Sequence, residues 1–586
     1  MSEKIISPGV FQNESDASLV QRGIQGTATA LVGPTVKGQP LVPTVITSYS
    51  EYAAQFGETF RSASYYYEYL TSQAAREFFS NGGQTLLVTR VISGSANVSV
   101  YASASVTASG PAVANEASFV LETLAWGDVM NNSGSIVAGA LVSGSTLNVR
   151  WEVTQVNTGS GTFTLAIRAG NDNTAQSNYL ETWPNLSLDP NLPNFISRVI
   201  GDIKPVYRVD STTGLPFVEL TGSYANASQY VRVRSVVNPQ VDSLDNNGFY
   251  KSGSVIPNGT GTTYAGGLPA LGSGSIGGAF TGGVAATNAV QLMNENISAT
   301  NIQGFSATDY QNAFNLLLNS DEYSFNVLLA PGVTLDNAAA STMISTVESR
   351  GDAFAIIDTK GYGSTVIGAA TSAAGQSSNY AGTYWPWVQL FSSNLGKAVW
   401  CPPSTVMGGV LAFNDQVAQP WFAPAGINRG GVPNVLRAER RLSQADRDVL
   451  YNANVNPLAT FPSEGVVVYG QKTLQRRATA LDRVNVRRLL IALKGFIGQV
   501  SRNLVFEQNT NVTRNRFLAQ VNPYLESVAQ RQGLFAYRVI MDDTNNTPDV
   551  IDRNQLVGQI YIQPTKTAEF IILNFNIQPT GATFPA

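Results

Sequence analysis

Two rhythms of apolar positions run through the ends of the chain, and both fade in its middle. Gln25 to Gly33 (QGTATALVG) alternates polar with apolar and β-branched residues, which predicts a strand. Ser48 to Phe56 opens on a capping residue and sets Tyr49, Tyr52, Ala53 and Phe56 at helical spacing. Tyr65 to Phe79 keeps that period through Tyr66, Tyr69, Leu70, Ala74 and Phe78, and Asn81-Gly82-Gly83 supplies its stop. Thr85 to Ile92 (TLLVTRVI) is apolar enough for a strand covered on both faces. The same alternation returns after Ser306, with helix Asp309–Leu318, strand Phe325–Ala330, helix Asn337–Ser349 and strand Ala353–Asp358. Helices alternating with short apolar strands predict a parallel sheet clad on both sides.

Residues 93–300 read differently. They are poor in charge, rich in Ser, Thr, Asn and Gly, and patterned as short strands such as Leu147–Val153 and Phe163–Ile167. Lys251 to Gly283 holds 11 glycines in 33 residues and reads as a loop or linker. If both ends feed one sheet, this stretch is a β-rich insertion in one of its loops. The last third carries two amphipathic helices, Leu481–Leu504 and Asn511–Gln530, then strands Phe535–Met541, Leu556–Ile562 and Ala568–Ile577. Met1 to residue 22 shows no helical period and reads as an extended arm.

Composition narrows the chemistry. The 586 residues contain no histidine and one cysteine, Cys401. Ser-His-Asp and Cys-His catalysis, His-ligated metals, disulfides within the chain and multi-thiolate zinc sites are therefore excluded. Lys, Tyr and carboxylate chemistry stays open. Charged residues are only 13% of the chain, so extensive self-contact costs little desolvation of charge. Met1–Glu14 holds no apolar stretch of signal-peptide length, and no run of ~18 apolar residues exists, so no membrane insertion is expected.

Charge is distributed unevenly. Arg429 to Arg538 carries 17 Lys and Arg against 7 Asp and Glu, in a chain whose net charge is −4. Such a block fits either a partner with an acidic face or a solvated helical surface with internal pairs. Its Arg-rich segments lack interleaved aromatics, which disfavours nucleic acid.

Three motifs look chemical and read better as structure. Gly272, Gly274 and Gly277 spell G-x-G-x-x-G, but inside the Gly/Ser linker rather than between a strand and a helix. Gly33 to Gly38 has phosphate-loop spacing, yet Gln39 stands where the lysine belongs. The cluster Asp542, Asp543, Asn545, Asn546, Asp549 and Asp552 lacks the Gly and Glu of a calcium loop and fits Asx-turns before a helix starting at Thr547-Pro548-Asp549. Cys401 reads as a small buried hydrophobe. No cofactor is expected.

The order of several short stretches resembles a known family. Ile6-Ser7-Pro8-Gly9-Val10, Glu14–Ser18, Ala30–Gly33, Phe56-Gly57 and Phe78-Phe79-Ser80-Asn81-Gly82-Gly83 come first, and Asn185–Pro190 (NLSLDP) lies in the middle. The C-terminal block is the most specific, with Asp482–Leu489 (DRVNVRRL), Phe506–Asn509, Asn545-Asn546-Thr547, Gln563-Pro564-Thr565, Ala568–Ile571 and Thr580-Gly581-Ala582. Together they are similar to contractile tail sheath proteins of phages and related injection machines.

That resemblance implies a non-catalytic α/β core of subtilisin-like topology, inserted β-rich outer domains, an α+β C-terminal sheath domain and extended arms at both ends. The implied boundaries are 1–22 (linking arm), 23–92 and 301–465 (core), 93–300 (insertion), 466–578 (tube-facing domain) and 579–586 (tail). It implies self-assembly as stacked hexameric rings around an inner tail tube, with baseplate and tail terminator proteins at the ends. The assembly would be a virion tail built in the host cytoplasm. Arm strands at Ser7, Pro8, Gly9 and Val10, and at Phe570, Ile571, Ile572, Leu573, Phe575 and Ile577, would pair across subunits. An arm of ~22 residues spans up to roughly 70 Å, far enough to reach a neighbour. Arg483, Arg487, Arg488 and Lys494 are the basic candidates for an acidic tube surface. The rival readings are a non-contractile tail or surface-layer protein and a degenerate hydrolase-like α/β enzyme.

Overall fold

Strands from the two ends of the chain meet in one sheet. The computed structural model describes residues 28–62, 65–91, 103–107, 117–124, 136–137, 140–141, 149–157, 160–169, 178–237, 247, 276–280 and 291–569. Eight strands make the central sheet: β1 (Ala28–Gly33), β2 (Thr44–Ile46), β3 (Leu86–Arg90), β4 (Phe325–Thr334), β5 (Phe354–Asp358), β6 (Ala381–Trp385), β7 (Val455–Phe461) and β8 (Gly465–Val468). Their order is β2-β3-β1-β4-β5-β6-β7-β8. The six inner strands run parallel, and β2 and β8 close the two edges antiparallel.

Strand alternation sends neighbours to opposite faces. Ala30 and Val32 of β1, Leu328 of β4 and Ile357 of β5 enter one apolar layer, under helices Ala307–Leu316 and Ala338–Arg350. Leu31, Leu329 and Ile356 enter the other, under helices Leu70–Ser80 and Ser404–Val417. All seven are almost fully buried, and each such side chain contributes roughly 1.5–3 kcal/mol by leaving water.

Residues between β3 and β4 build separate antiparallel sheets. A four-stranded one (Tyr179–Ser187, Thr162–Ala169, Val149–Asn157, Ile276–Ala279) faces a three-stranded one (Val231–Val236, Ala117–Thr123, Ser103–Thr107). They share a core in which Phe119 stacks on Phe163 at 5.5 Å. The G-x-G-x-x-G stretch thus ends in a sheet strand, with Gly277 opposite Glu152 and Gly278 opposite Trp151, not in a linker throughout.

A second correction concerns Tyr65–Phe79. Tyr65–Glu68 pairs with Thr59–Ser62 as a hairpin, and the helix begins only at Leu70. Three consecutive tyrosines favour an extended ribbon over a helix, whose preceding turn crowds aromatic side chains. At the other end, Ala568 and Glu569 are not in a strand, and Phe570 to Ile577 lies outside the described residues, as does the arm with Ser7, Pro8, Gly9 and Val10.

One buried carboxylate ties the layers together. Asp358, at the end of β5, accepts hydrogen bonds from the Ser404 amide (2.9 Å), the Ser404 hydroxyl (2.6 Å) and the Gly332 amide (2.9 Å). Ser404 opens a helix, whose unsatisfied N–H groups favour an anion there. Gly332 sits at φ +92°, and a Cβ would press on Ile297 and Ile302, so only glycine turns its amide inward here. Burial pushes the Asp358 carboxyl up to about 6, against the hydrogen bonds that lower it. The unfolded chain titrates near ~3.9, so this group's stabilising contribution is complete below that value and lost as pH rises through about 6. Asp358→Asn should remove that slope. Thermal melts of the wild type are expected to fall relative to the variant between pH 4 and 7, and parallel curves would contradict the assignment.

Candidate functional site

The four candidates from the basic block of the sequence lie at the N-cap of and along α1 (Val484–Arg502), the helix that joins the C-terminal domain to the core. Three cations crowd its N-terminal end, where the helix dipole disfavours positive charge. Arg483 holds the N-cap position with no side-chain cap, although Ser, Thr, Asp or Asn serves there best. Each of the three must therefore be compensated from outside the helix, and each is.

Arg488 is 3% exposed and grips Asp415 with both ends of its fork, at 2.9 and 2.5 Å. Asp415 lies near the C-terminal end of helix Ser404–Val417, so the pair joins two helix ends that each carry an unfavourable charge. Arg487, also 3% exposed, donates to Asn379 Oδ1 (2.7 Å) and lies 3.9 Å from the Tyr380 ring centroid. Both guanidiniums are spent inside the subunit. The expectation that Arg487 and Arg488 meet an outside partner thus names two side chains that are buried in the isolated chain.

Arg483 turns to the end of the described chain. Its Nε and Nη2 donate to Glu569 at 2.7 and 3.0 Å. The Tyr451 hydroxyl donates to the same carboxylate at 2.6 Å, and Gln471 Nε2 at 3.1 Å. Gln471 Nε2 also reaches the Thr567 hydroxyl at 2.7 Å. Burial alone pushes the Glu569 carboxyl up, but the hydrogen bonds from Arg483 and Tyr451 and the Arg483 charge outweigh it and hold it below the usual range. A cavity of about 440 Å³ opens beside this cluster, lined by Thr479, Asp482, Arg483, Asn485, Lys566 and Glu569 among others.

Lys494 is the one exposed member of the four basic candidates. Its Nζ is 3.2 Å from the Tyr380 hydroxyl. The same side of α1 exposes Gly495, Gly498, Gln499 and Arg502. A Cβ added at Gly495 or Gly498 would meet nothing within 4 Å, so no contact inside the subunit asks for glycine at either place.

The other half of the C-terminal domain is α2 (Asn511–Gln530) and a ribbon of β9 (Leu534–Ile540) paired with β10 (Gln559–Pro564). Leu534, Tyr537, Val539, Ile560 and Ile562 pack on the two helices and on Trp421 of the core. The other face shows Phe535 and Tyr561 at 82% and 56% exposure. Among the described residues this sheet has two strands, so each keeps an outer edge there.

Other candidate chemistry resolves as structure. Asp542 Oδ1 accepts from the Thr544 amide at 2.9 Å and Asn546 bonds the 557 backbone at both ends ahead of helix Pro548–Asp552, while Asp543 pairs with Arg514 and Asp549 with Arg553. Cys401 is buried, with Sγ donating to Gln73 Oε1 at 2.8 Å, and burial pushes its thiol up. Asp358 and Ser404 are both sealed at 0% exposure. Among the described residues no group of three or more His, Cys, Asp or Glu could hold a metal, and no helix is long and apolar enough to cross a membrane. Asp415, Tyr380, Tyr451 and Gln471 gave no signal in the sequence, and Glu569 only its place in the Ala568–Ile571 stretch of the family resemblance. The one available sign was an arginine where a helix asks for a capping residue.

Breaking a buried ion pair from one side leaves a desolvated charge and costs about 3–5 kcal/mol, less where the survivor reaches water. Asp415 is 31% exposed, so Arg488→Met should destabilise the chain by roughly 2–3 kcal/mol, read from urea denaturation. Lys494→Met should stay within about 0.5 kcal/mol. Equal effects would contradict the division between internal and external cations.

Comparison with known proteins bears on this geometry. Residues 303–474 match the phage tail sheath protein central domain, and residues 477–578 match the phage tail sheath C-terminal domain. The tail sheath proteins of Vibrio phage KVP40 and of Enterobacteria phage T4 are each 42% identical over 185 residues, 32% of this chain. The match spans 28% of the length of each of those relatives. A crystal structure of a sheath tail protein from Listeria innocua shares the fold at a TM-score of 0.50, with 11% identity, over 93% of this chain and 96% of that one. Over residues 303–474 and 477–578 the chain is thus similar to the central and C-terminal domains of the phage tail sheath family.

Proposed function

We propose that this chain is a structural, non-enzymatic subunit of a contractile tail sheath, a component of a virion tail. It polymerises as stacked hexameric rings around an inner tube and contracts to drive that tube through a host envelope. The observation that carries this reading is the 42% identity to two phage tail sheath proteins over 185 residues. Baseplate and tail terminator proteins bound the polymer under the same reading, and no cofactor takes part.

The geometry supports a division of labour. The clad, mostly parallel sheet suits a rigid body that moves as a unit, and its two-sided cover is compatible with a non-catalytic subtilisin-like topology. The β-sandwich within 93–300 takes the outward position. The ribbon of β9 and β10, with open outer edges, can accept strands, since an unpaired edge presents a row of free N–H and C=O groups. Strands from the arms, Ser7–Val10 of one subunit and Phe570–Ile577 of another, would fill those edges. Such joints hold while the bodies rotate and slide.

The tube-facing surface moves to the exposed side of α1. Lys494, Gly495, Gly498, Gln499 and Arg502 form it, and Arg502 pairs with Asp321 at 3.2 Å across an exposed gap. A glycine inside a helix costs about 1 kcal/mol against alanine. Two of them with open space around them favour close approach of another chain rather than any need of the subunit itself.

Electron microscopy of the purified full chain, with and without tubes, tests the central claim. Tubes or stacked rings are expected, and a chain that stays monomeric at high concentration with tubes present would sink it. Deleting residues 1–18 should abolish polymers while leaving the monomer melting temperature unchanged. Polymers of normal length from that deletion would remove the arms from the joint. Gly495→Ala with Gly498→Ala should stabilise the monomer by about 1 kcal/mol per site, whereas Gly498→Leu should lower sheath yield on tubes without unfolding the monomer. Undiminished yield would move the tube contact elsewhere.

A further inference from the structure

Glu569 is the last described residue before the segment that would leave the subunit, and it is held by three separate parts of the protein. Arg483 belongs to the N-cap of α1, Tyr451 to helix Gln444–Asn452, and Gln471 to the turn after β8. Lys472 braces the same cluster, with Nζ donating to the Tyr451 carbonyl at 2.8 Å and lying 4.1 Å from that ring's centroid. Helix Gln444–Asn452 packs on the central sheet through Leu450, and Val468 of β8 is fully buried. The carboxylate is therefore bonded to the core helix Gln444–Asn452 through Tyr451, and to the start of α1 through Arg483, whose backbone bridges Lys472 just after β8, although the chain reaches it from the ribbon.

The two routes differ in strength. Behind Glu569 the backbone runs through Thr565, whose amide reaches the Gly533 carbonyl at 3.2 Å, into β10. A two-stranded ribbon is marginal by itself, and the alternate residues of β10 face solvent. Through the side chain, the route is a charge-assisted fork, a phenol and an amide, all meeting on one carboxylate, and such bonds are about twice as strong as neutral ones. Arg483 and Glu569 side chains are 24% and 19% exposed, so water screens the pair only in part.

We propose that Glu569 and Arg483, with Tyr451 and Gln471, form a clasp that anchors the root of the C-terminal segment to the core domain, so that pull on residues 570–586 loads the central sheet and spares the ribbon. This deepens the sheath reading and rests on it for the source of the pull. It also accounts for the arginine at the N-cap of α1. A conventional cap would satisfy the helix end and leave Glu569 without its principal partner.

Two measurements test the clasp. In the unassembled full chain, Glu569→Gln should speed hydrogen exchange at the Thr565 amide, which is bonded to the Gly533 carbonyl, roughly ten-fold, through loss of the charged bonds that hold the segment behind it. Amides of β7 and β8 should stay unchanged. The charge swap Arg483→Glu with Glu569→Arg should restore part of the protection, a rescue that a general packing loss would not show. Unchanged exchange at Thr565 in Glu569→Gln overturns the clasp, whether or not the protein polymerises. For the load path, polymers of wild type and Glu569→Gln are compared in mild urea by electron microscopy. Earlier fragmentation of the variant into short stacks is expected. Identical length distributions overturn the load path, while wild-type chain that forms no polymer overturns the sheath reading and leaves the exchange result standing.

Discussion

The fold depends on the seat of its first described strand. β1 pairs in parallel with β3 on one side and β4 on the other, Leu31 facing Val88 and Leu329. Some 230 residues of chain separate those two flanking strands, and they come to lie two strand positions apart with β1 filling the gap between them. Its side chains are buried on both faces, so slipping by one residue would exchange every one of them between layers. That double constraint lets the chain hold a large β-rich insertion out to the side without disturbing the core. It also sets the sequence order of the subunit. The amino-terminal segment starts from the centre of the sheet, and the carboxyl-terminal segment starts from a domain attached to its edge.

The C-terminal domain solves a different problem. It must be fixed to the core yet keep surface free, and it does so through a few specific contacts. Trp421 from the core enters the apolar cluster between the two long helices and donates its indole N–H to the Arg531 carbonyl at 3.0 Å. Arg488 and Asp415 pin the start of the first helix, and Arg487 lies against Tyr380. Thus the cations of the basic block divide by depth. Those at the N-terminal end of the helix hold the two domains together, and those further along, Lys494 and Arg502, face outward.

Periodicity showed what periodicity encodes. Strands at 28–33, 86–90, 325–334 and 354–358 and both long C-terminal helices lie where alternation and amphipathic spacing place them. The hairpin at Tyr65–Glu68 was misread because Tyr66 and Tyr69 also fit a helical stripe, and a three-residue spacing cannot distinguish a helix from a ribbon followed by a helix. Strands β6 and β7 escaped notice because Tyr384, Asn456 and Pro457 break their apolar runs. At the candidate site, the basic residues were visible and their partners were not. A buried pair such as Arg488 and Asp415 joins positions 73 residues apart, and no local pattern records which acid a given arginine meets. Burial, not sequence position, decides whether a cation binds its own subunit or another.

That distinction carries over to how such a subunit can move. Apolar layers packed on a sheet resist shear, whereas polar contacts between exposed groups are broken and remade at little cost. This chain places the first kind at the centre, and the second on the outer side of α1, with Lys494, Gln499 and Arg502. Under the proposed sheath reading, a polymer built from it would change its subunit contacts where the low-cost contacts lie and transmit force where the apolar layers lie. The polar cluster at Glu569 stands between the two: its groups are charged, but Arg483 is only 24% exposed and Gln471 3%. A contact that must survive the exchange of its neighbours needs the directionality of ion pairs together with shelter from water. Arg483 and Glu569 meet both conditions at the end of the described chain.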